Sequence, residues 1–186
     1  SHGLALAGMS NCGKHFPGHG FATADSHVAL PTDDRPLDTI LRDDAAPYGW
    51  LDIALGSIIP AHVIYTQVDD KPAGFSRIWL EEVLRGKLGF TGAIFSDDLS
   101  MEAARAGGTL TQAAAAALAA GCDMVLICNQ PQAAETVLEE LRYAPSKESG
   151  RRIGQLRGRG KPPRWGKLVA RADYQAAQRL LRSTLG

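Results

Sequence analysis

Two short stretches hold the residues best suited to proton transfer and nucleophilic attack. The first, KHFPGHGFATADSH, runs from Lys14 to His27 and carries His15, His19 and His27 together with Lys14 and Asp25. His2 and His62 are the remaining histidines, so all five lie in the first third of the chain. Imidazole titrates near neutral pH and can both give and take a proton there. The stretch is rich in glycine and polar residues, a composition unsuited to a core. Gly18 and Gly20 let it turn sharply or move. Any single histidine here is accounted for as a hydrogen-bonded loop residue. Several polar groups gathered just past a short strand point to function, because barrel active sites are built at that end of the strands.

The second stretch is Ser96-Asp97-Asp98, after the apolar run GAIF. Two adjacent acids at the end of an apolar strand are costly to bury without partners, so at least one must face a polar cleft. Neighbours on an extended backbone point to opposite sides. One carboxylate can therefore look into the mouth of the sheet while the other, or Ser96, caps the helix expected near Met101. His62, in Pro60-Ala61-His62, ends a third apolar run, and Cys128-Asn129 ends a fourth. Cys128 is read as a small buried apolar group.

The elements that must position these groups follow from the apolar pattern. Candidate strands are 11–15, 57–63, 92–96 and 123–128. Their runs SII, AIF and MVLI are continuously apolar, as in strands covered on both faces. Helical patterns lie between them. Ser76 can cap a helix over 77–88 that Gly89 stops, and Leu80, Val83, Leu84 and Leu88 form its apolar face. Thr109 or Thr111 can cap the alanine-rich run that ends at Gly121. Pro131 suits the first turn of a helix reaching Leu141, and a last helix is expected over 172–185. Alternating strands and helices imply a parallel α/β sheet. Four βα units make half of an eight-fold barrel.

Composition narrows the function further. The 186 residues balance 20 Lys+Arg against 20 Asp+Glu, so there is no overall attraction to nucleic acid or an anionic membrane. Nine Lys and Arg do gather between Arg142 and Lys167, against Glu148 alone. Without interleaved aromatics this segment reads as a solvated loop between the terminal helices. No apolar run approaches the ~20 residues needed to cross a bilayer, and the first residues lack the pattern of a secretory signal. Three cysteines, an odd number, suit a reduced cytoplasmic protein. The expectation is a soluble cytoplasmic globular chain.

The motifs together resemble glycoside hydrolase family 3, and within it the bacterial β-N-acetylglucosaminidases of peptidoglycan recycling (the NagZ type). The carrying residues are KHFPGHG at 14–20, Asp25-Ser26-His27, PAHVIY at 60–65 and IFSDDLSM at 94–101. The resemblance implies a (β/α)8 TIM-type barrel and a retaining exo-hydrolase that removes terminal N-acetylglucosamine from muropeptides without metal or organic cofactor. Asp97 matches the catalytic nucleophile, His27 the proton donor and acceptor, and Asp25 the acid that orients His27. Lys14 and His15 match sugar-binding positions, and the segment 16–27 matches a mobile loop that carries the acid/base over the substrate. Barrels of this kind are about twice as long as this chain. The chain, taken as one unit over 1–186, corresponds to the C-terminal half of such a domain. A missing N-terminal half or a second copy is then needed to complete it.

Two other readings stay open. A catalytically silent half-barrel fragment would carry the same residues without turnover. A metal-dependent barrel hydrolase could draw ligands from His15, His19, Asp25, His27 and His62, although the spacings H-x3-H and D-x-H match no standard zinc pattern.

Overall fold

The computed structural model describes residues 2–22, 30–51, 54–101, 104, 108–161 and 163–185. Along the chain run strands β1 (Cys12–Phe16), β2 (Thr32–Asp33), β3 (Ser57–Pro60), β4 (Ile64–Tyr65), β5 (Ala93–Asp98) and β6 (Met124–Leu126). The helices are α1 (His2–Leu6), α2 (Leu37–Arg42), α3 (Ala46–Trp50), α4 (Ile78–Lys87), α5 (Leu110–Ala120), α6 (Pro131–Glu140), α7 (Lys147–Gln155), α8 (Trp165–Val169) and α9 (Ala172–Leu185). Strands β1, β3, β5 and β6 form one sheet in that order, every pair parallel. This is the α/β architecture that the alternation of apolar runs and helical patterns implies. All four C-terminal ends therefore emerge on the same side.

The register is set at both ends of the sheet. Ser57 N donates to Asn11 O, and Ala61 N to Phe16 O at 2.7 Å. Gly92 sits where a Cβ would come within 2.6 Å of the Gly56 carbonyl, so the β3–β5 approach requires glycine there. The pairing of β1 with β3 skips a residue between Lys14 and Phe16, which bulges β1 at His15. Bulges commonly re-aim side chains next to active sites.

The core lies between the sheet and α4. Phe16, Tyr65 and Trp79 are fully buried and meet edge-to-face, with ring centroids 5.9 Å apart for Phe16–Trp79 and 4.9 Å for Tyr65–Trp79. Each large apolar side chain buried this way contributes about 1.5–3 kcal/mol. The helix α4 is wound more widely than the α-helix its spacing suggests, with Leu88 N donating to Val83 O, five residues back. That winding keeps the adjacent pairs Trp79-Leu80 and Val83-Leu84 buried together. Ser76 Oγ accepts from Trp79 N and itself donates to Asp69.

Local signals predict several other boundaries. Thr109 and Gln112 form a reciprocal capping box on α5, and Gly121 ends it at φ +123°. Pro131 occupies the first turn of α6.

Four expectations need correction. The strand expected over 57–63 stops at Pro60, and Ile64-Tyr65 instead pairs with Thr32-Asp33 in a separate two-stranded sheet. MVLI is not covered on both faces: β6 is an edge strand and Met124 is 36% exposed. Cys128 is exposed rather than buried, because it lies past the end of that edge strand. The basic segment is no uniform loop. Ser146 caps α7 by accepting from Ser149 N, and the helix docks through polar groups rather than an apolar stripe.

Candidate functional site

A cleft of about 320 Å³ opens at the C-terminal ends of the parallel strands. Its wall takes Lys14, His15 and His19 from β1 and its loop, His62 from beyond β3, Asp97 and Asp98 from β5, and Asn129 from beyond β6. Asp25 and His27 lie outside the described residues. Four strand ends converge here because the strands are parallel and the bulge at His15 turns that ring toward β5.

The two adjacent aspartates diverge. Asp98 is fully engaged: Oδ1 accepts from Ser100 N at 2.9 Å and from Cys128 N at 3.0 Å, and Oδ2 accepts from Ser100 Oγ at 2.7 Å. Burial alone would raise its carboxyl, yet these hydrogen bonds outweigh it and hold Asp98 below the usual carboxylate range. Asp98 thus staples the end of β5 to the end of β6. Among the described residues, Asp97 accepts a hydrogen bond from the Asp98 amide alone, at 2.9 Å. Its Oδ2 stands 3.5 Å from His15 Nε2, and its side chain keeps 17% exposure. It is the carboxylate left available to a ligand.

Burial lowers the affinity of His15 for a proton, and Lys14, His19 and His62 push the same way, against the pull of Asp97. At neutral pH the His15–Asp97 contact is therefore between a neutral ring and an acid. His62 is likewise held neutral, chiefly by burial. It packs parallel to Phe75 at 5.9 Å and directs Nε2 to the Asp98 carbonyl at 3.1 Å. Sequence reasoning placed His62 at a strand end but not in this contact.

Both imidazoles bind a proton less readily in the folded chain than in the unfolded one. Protonation therefore favours unfolding: stability is intact above the ordinary histidine pKa of ~6.5 and falls as the pH drops through it. Thermal unfolding midpoints are expected to decline on acidification from about pH 7.5 to about pH 5.5. His62→Gln should flatten that decline; an unaltered slope would assign the pH dependence to other groups.

The loop after β1 is anchored on both flanks of the segment that contains Asp25 and His27. Before it, Tyr65 Oη donates to Gly18 O, and a Cβ on Gly18 would collide with Asp44. After it, Arg35 grips the buried Asp33 with Nε and Nη2 and reaches Asp44 with Nη1 at 2.7 Å. The same guanidinium lies 4.2 Å from the ring centre of Phe21. Nothing in the periodicity announced this clamp.

Metal ligation gains no cluster from the described residues: no three His, Cys, Asp or Glu side chains gather there at ligating distance. His62 Nε2 is committed to a backbone carbonyl.

Comparison with known proteins adds to this geometry. Residues 1–155 match the model of the glycosyl hydrolase family 3 N terminal domain. A β-hexosaminidase of Bordetella avium is 55% identical over 179 residues, covering 96% of this chain and 51% of that protein. One from Chromobacterium violaceum is 48% identical over 181 residues, covering 97% and 51%. The crystal structure of NagZ from Neisseria gonorrhoeae in complex with N-trifluoroacetyl-D-glucosamine superimposes with a TM-score of 0.86 at 41% identity, over 96% of this chain and 52% of that one. The chain spans about half the length of the curated relatives it matches. The parallel sheet, the cleft at its strand ends and these matches agree: the chain belongs to glycosyl hydrolase family 3.

Proposed function

We propose that this chain supplies the catalytic half of a retaining β-N-acetylglucosaminidase acting on muropeptides in cytoplasmic cell-wall recycling. The observation that carries the reading is Asp97, a partly exposed carboxylate that accepts no side-chain hydrogen bond among the described residues, while its neighbour Asp98 is bonded through both oxygens. Asp97 attacks C1 of the terminal sugar as the bond to the leaving oxygen breaks, forming a glycosyl ester. His27 donates a proton to that leaving oxygen, then takes one from the water that hydrolyses the ester. Asp25 accepts from the imidazole and fixes its tautomer, as an acid does in a Ser-His-Asp arrangement. Lys14 and His15, on the cleft wall, hydrogen-bond sugar hydroxyls. The anchors at Gly18, Phe21 and Asp33 fix the chain on either side of the segment that contains His27.

The domain is completed as a (β/α)8 barrel. Two edge strands, β1 and β6, are unpaired on their outer sides within the four-stranded sheet, and open edges of this kind call for covering. The relatives' additional length, about as much again, is what supplies the other four βα units. Residues 1–186 then form the C-terminal half of the catalytic domain, and muropeptide contacts beyond the terminal sugar come from the other half.

Hydrolysis of aryl β-N-acetylglucosaminides by the complete protein, followed by NMR for anomeric configuration, tests this reading. The β-anomer is expected as first product. His27→Ala should slow natural substrates by about 10²–10⁴-fold, the usual contribution of a positioned acid/base. It should spare substrates with good leaving groups, which need no proton. An initial α-product, or equal losses across leaving groups, would contradict the assignment.

A further inference from the structure

We infer that His62 is a positioning residue for Asp97, acting through the backbone of Asp98. The contacts form a relay. His62 Nε2 lies 3.1 Å from the Asp98 carbonyl, and the Asp98 amide donates to Asp97 Oδ1 at 2.9 Å. Holding one end of residue 98 therefore fixes the donor that orients the carboxylate at the other. The same residue is pinned from β6 through Cys128 N, and Leu99 N donates to Leu126 O. Residue 98 is thus held through its carbonyl by His62 and through its carboxylate by Cys128, and its amide is the group that meets Asp97.

Packing alone does not account for a histidine at this place. The ring is 1% exposed and lies flat against Phe75. Its Nε2 faces a carbonyl and so carries the hydrogen, which leaves Nδ1 as a bare acceptor. Nδ1 is buried and has no hydrogen-bond partner among the described residues. A phenylalanine or leucine would fill the same space without stranding a polar atom. What histidine alone adds is the N–H on Asp98.

This inference rests on Asp97 being the nucleophile, and the test separates the two ideas. The complete protein is treated with a 5-fluoro-N-acetylglucosaminyl fluoride. In that reaction a carboxylate oxygen bonds to C1 while fluoride leaves, and the labelled residue and its labelling rate are read by mass spectrometry. Wild type is expected to label at Asp97. His62→Gln, whose amide nitrogen falls where Nε2 was, should label within about threefold of wild type. His62→Phe and His62→Asn, which place no donor there, should label about ten- to a hundredfold more slowly, the loss that follows from ångström-scale misplacement of a reacting group. N-acetylglucosamine should inhibit all forms with similar affinity. Should His62→Phe fail to fold, the contrast between Gln and Asn carries the test. Equal rates in wild type and the donor-free variants would overturn the role of His62 and leave Asp97 standing. Equal slowing in Gln and Asn would overturn it too, in favour of simple packing. Wild-type label on another side chain would overturn the nucleophile, and this inference with it.

Discussion

Asp97→Ala is expected to lower kcat/KM for an aryl β-N-acetylglucosaminide by at least about 10⁴-fold in the complete protein, as removal of a covalent nucleophile does elsewhere. The fold should hardly notice. The Asp97 side chain is partly exposed, and among the described residues its polar contacts are the Asp98 amide and the 3.5 Å approach to His15. Removing the acid should also leave His15 more weakly basic still, since Asp97 is what favours the charged ring. Asp98→Ala makes the informative control. It strips three acceptor contacts that tie Ser100 and Cys128 to the end of β5, so its main effect is expected on stability. Comparable turnover in Asp97→Ala and wild type, or a collapse of folding in Asp97→Ala alone, would reverse the roles assigned to the two acids.

Asp123→Ala is expected to destabilise the fold by about 3–5 kcal/mol, the cost of removing one partner from a buried ion pair. Asp123 is 3% exposed and lies at the N-terminal side of β6, away from the cleft. Its Oδ2 accepts from Ile94 N at 2.9 Å and Arg85 Nη2 at 3.0 Å, and its Oδ1 from Ser149 Oγ at 2.8 Å and Arg152 Nη1 at 3.3 Å. One carboxylate thus joins β5, α4 and α7. Without it two largely buried guanidinium groups face each other, and a strand amide loses its acceptor. Urea unfolding of the complete protein measures the change. The midpoint should fall while the specific activity of the folded fraction stays near wild type. A loss below about 1 kcal/mol would mean water replaces the carboxylate readily and the cluster is not what docks α7.

The cluster around Asp123 is held by contacts distant in sequence, which local patterns do not encode. Features encoded within a few residues were legible: a threonine cap on α5, with Thr109 and Thr111 as the two candidates, Gly121 closing that helix, Pro131 opening α6 and the apolar face of α4. Each depends on spacing along one element. The helix α7 carries no such local signal because it buries no apolar stripe; its anchors, Ser149 and Arg152, meet an acid 26 and 29 residues earlier. Strand ends behaved the same way. Alternation required Asp97 and Asp98 to diverge, but only the placement of Cys128 and Ser100 decides that Asp98 is the bonded one. The exposure of Met124 and Cys128 reflects an edge strand, and strand order across a sheet is set by contacts distant in sequence. The clamp of Arg35 on Asp33, Asp44 and Phe21 gathers residues from three separate segments and was equally silent.

The most direct measurement is peptide mapping of the complete protein after inactivation by the fluorinated N-acetylglucosaminyl fluoride. One sugar per molecule should be recovered on the peptide containing GAIFSDDLSM, with fragmentation placing it on Asp97. Recovery of the sugar on Asp98, on a histidine of the β1 loop, or nowhere despite lost activity would contradict a glycosyl ester at Asp97.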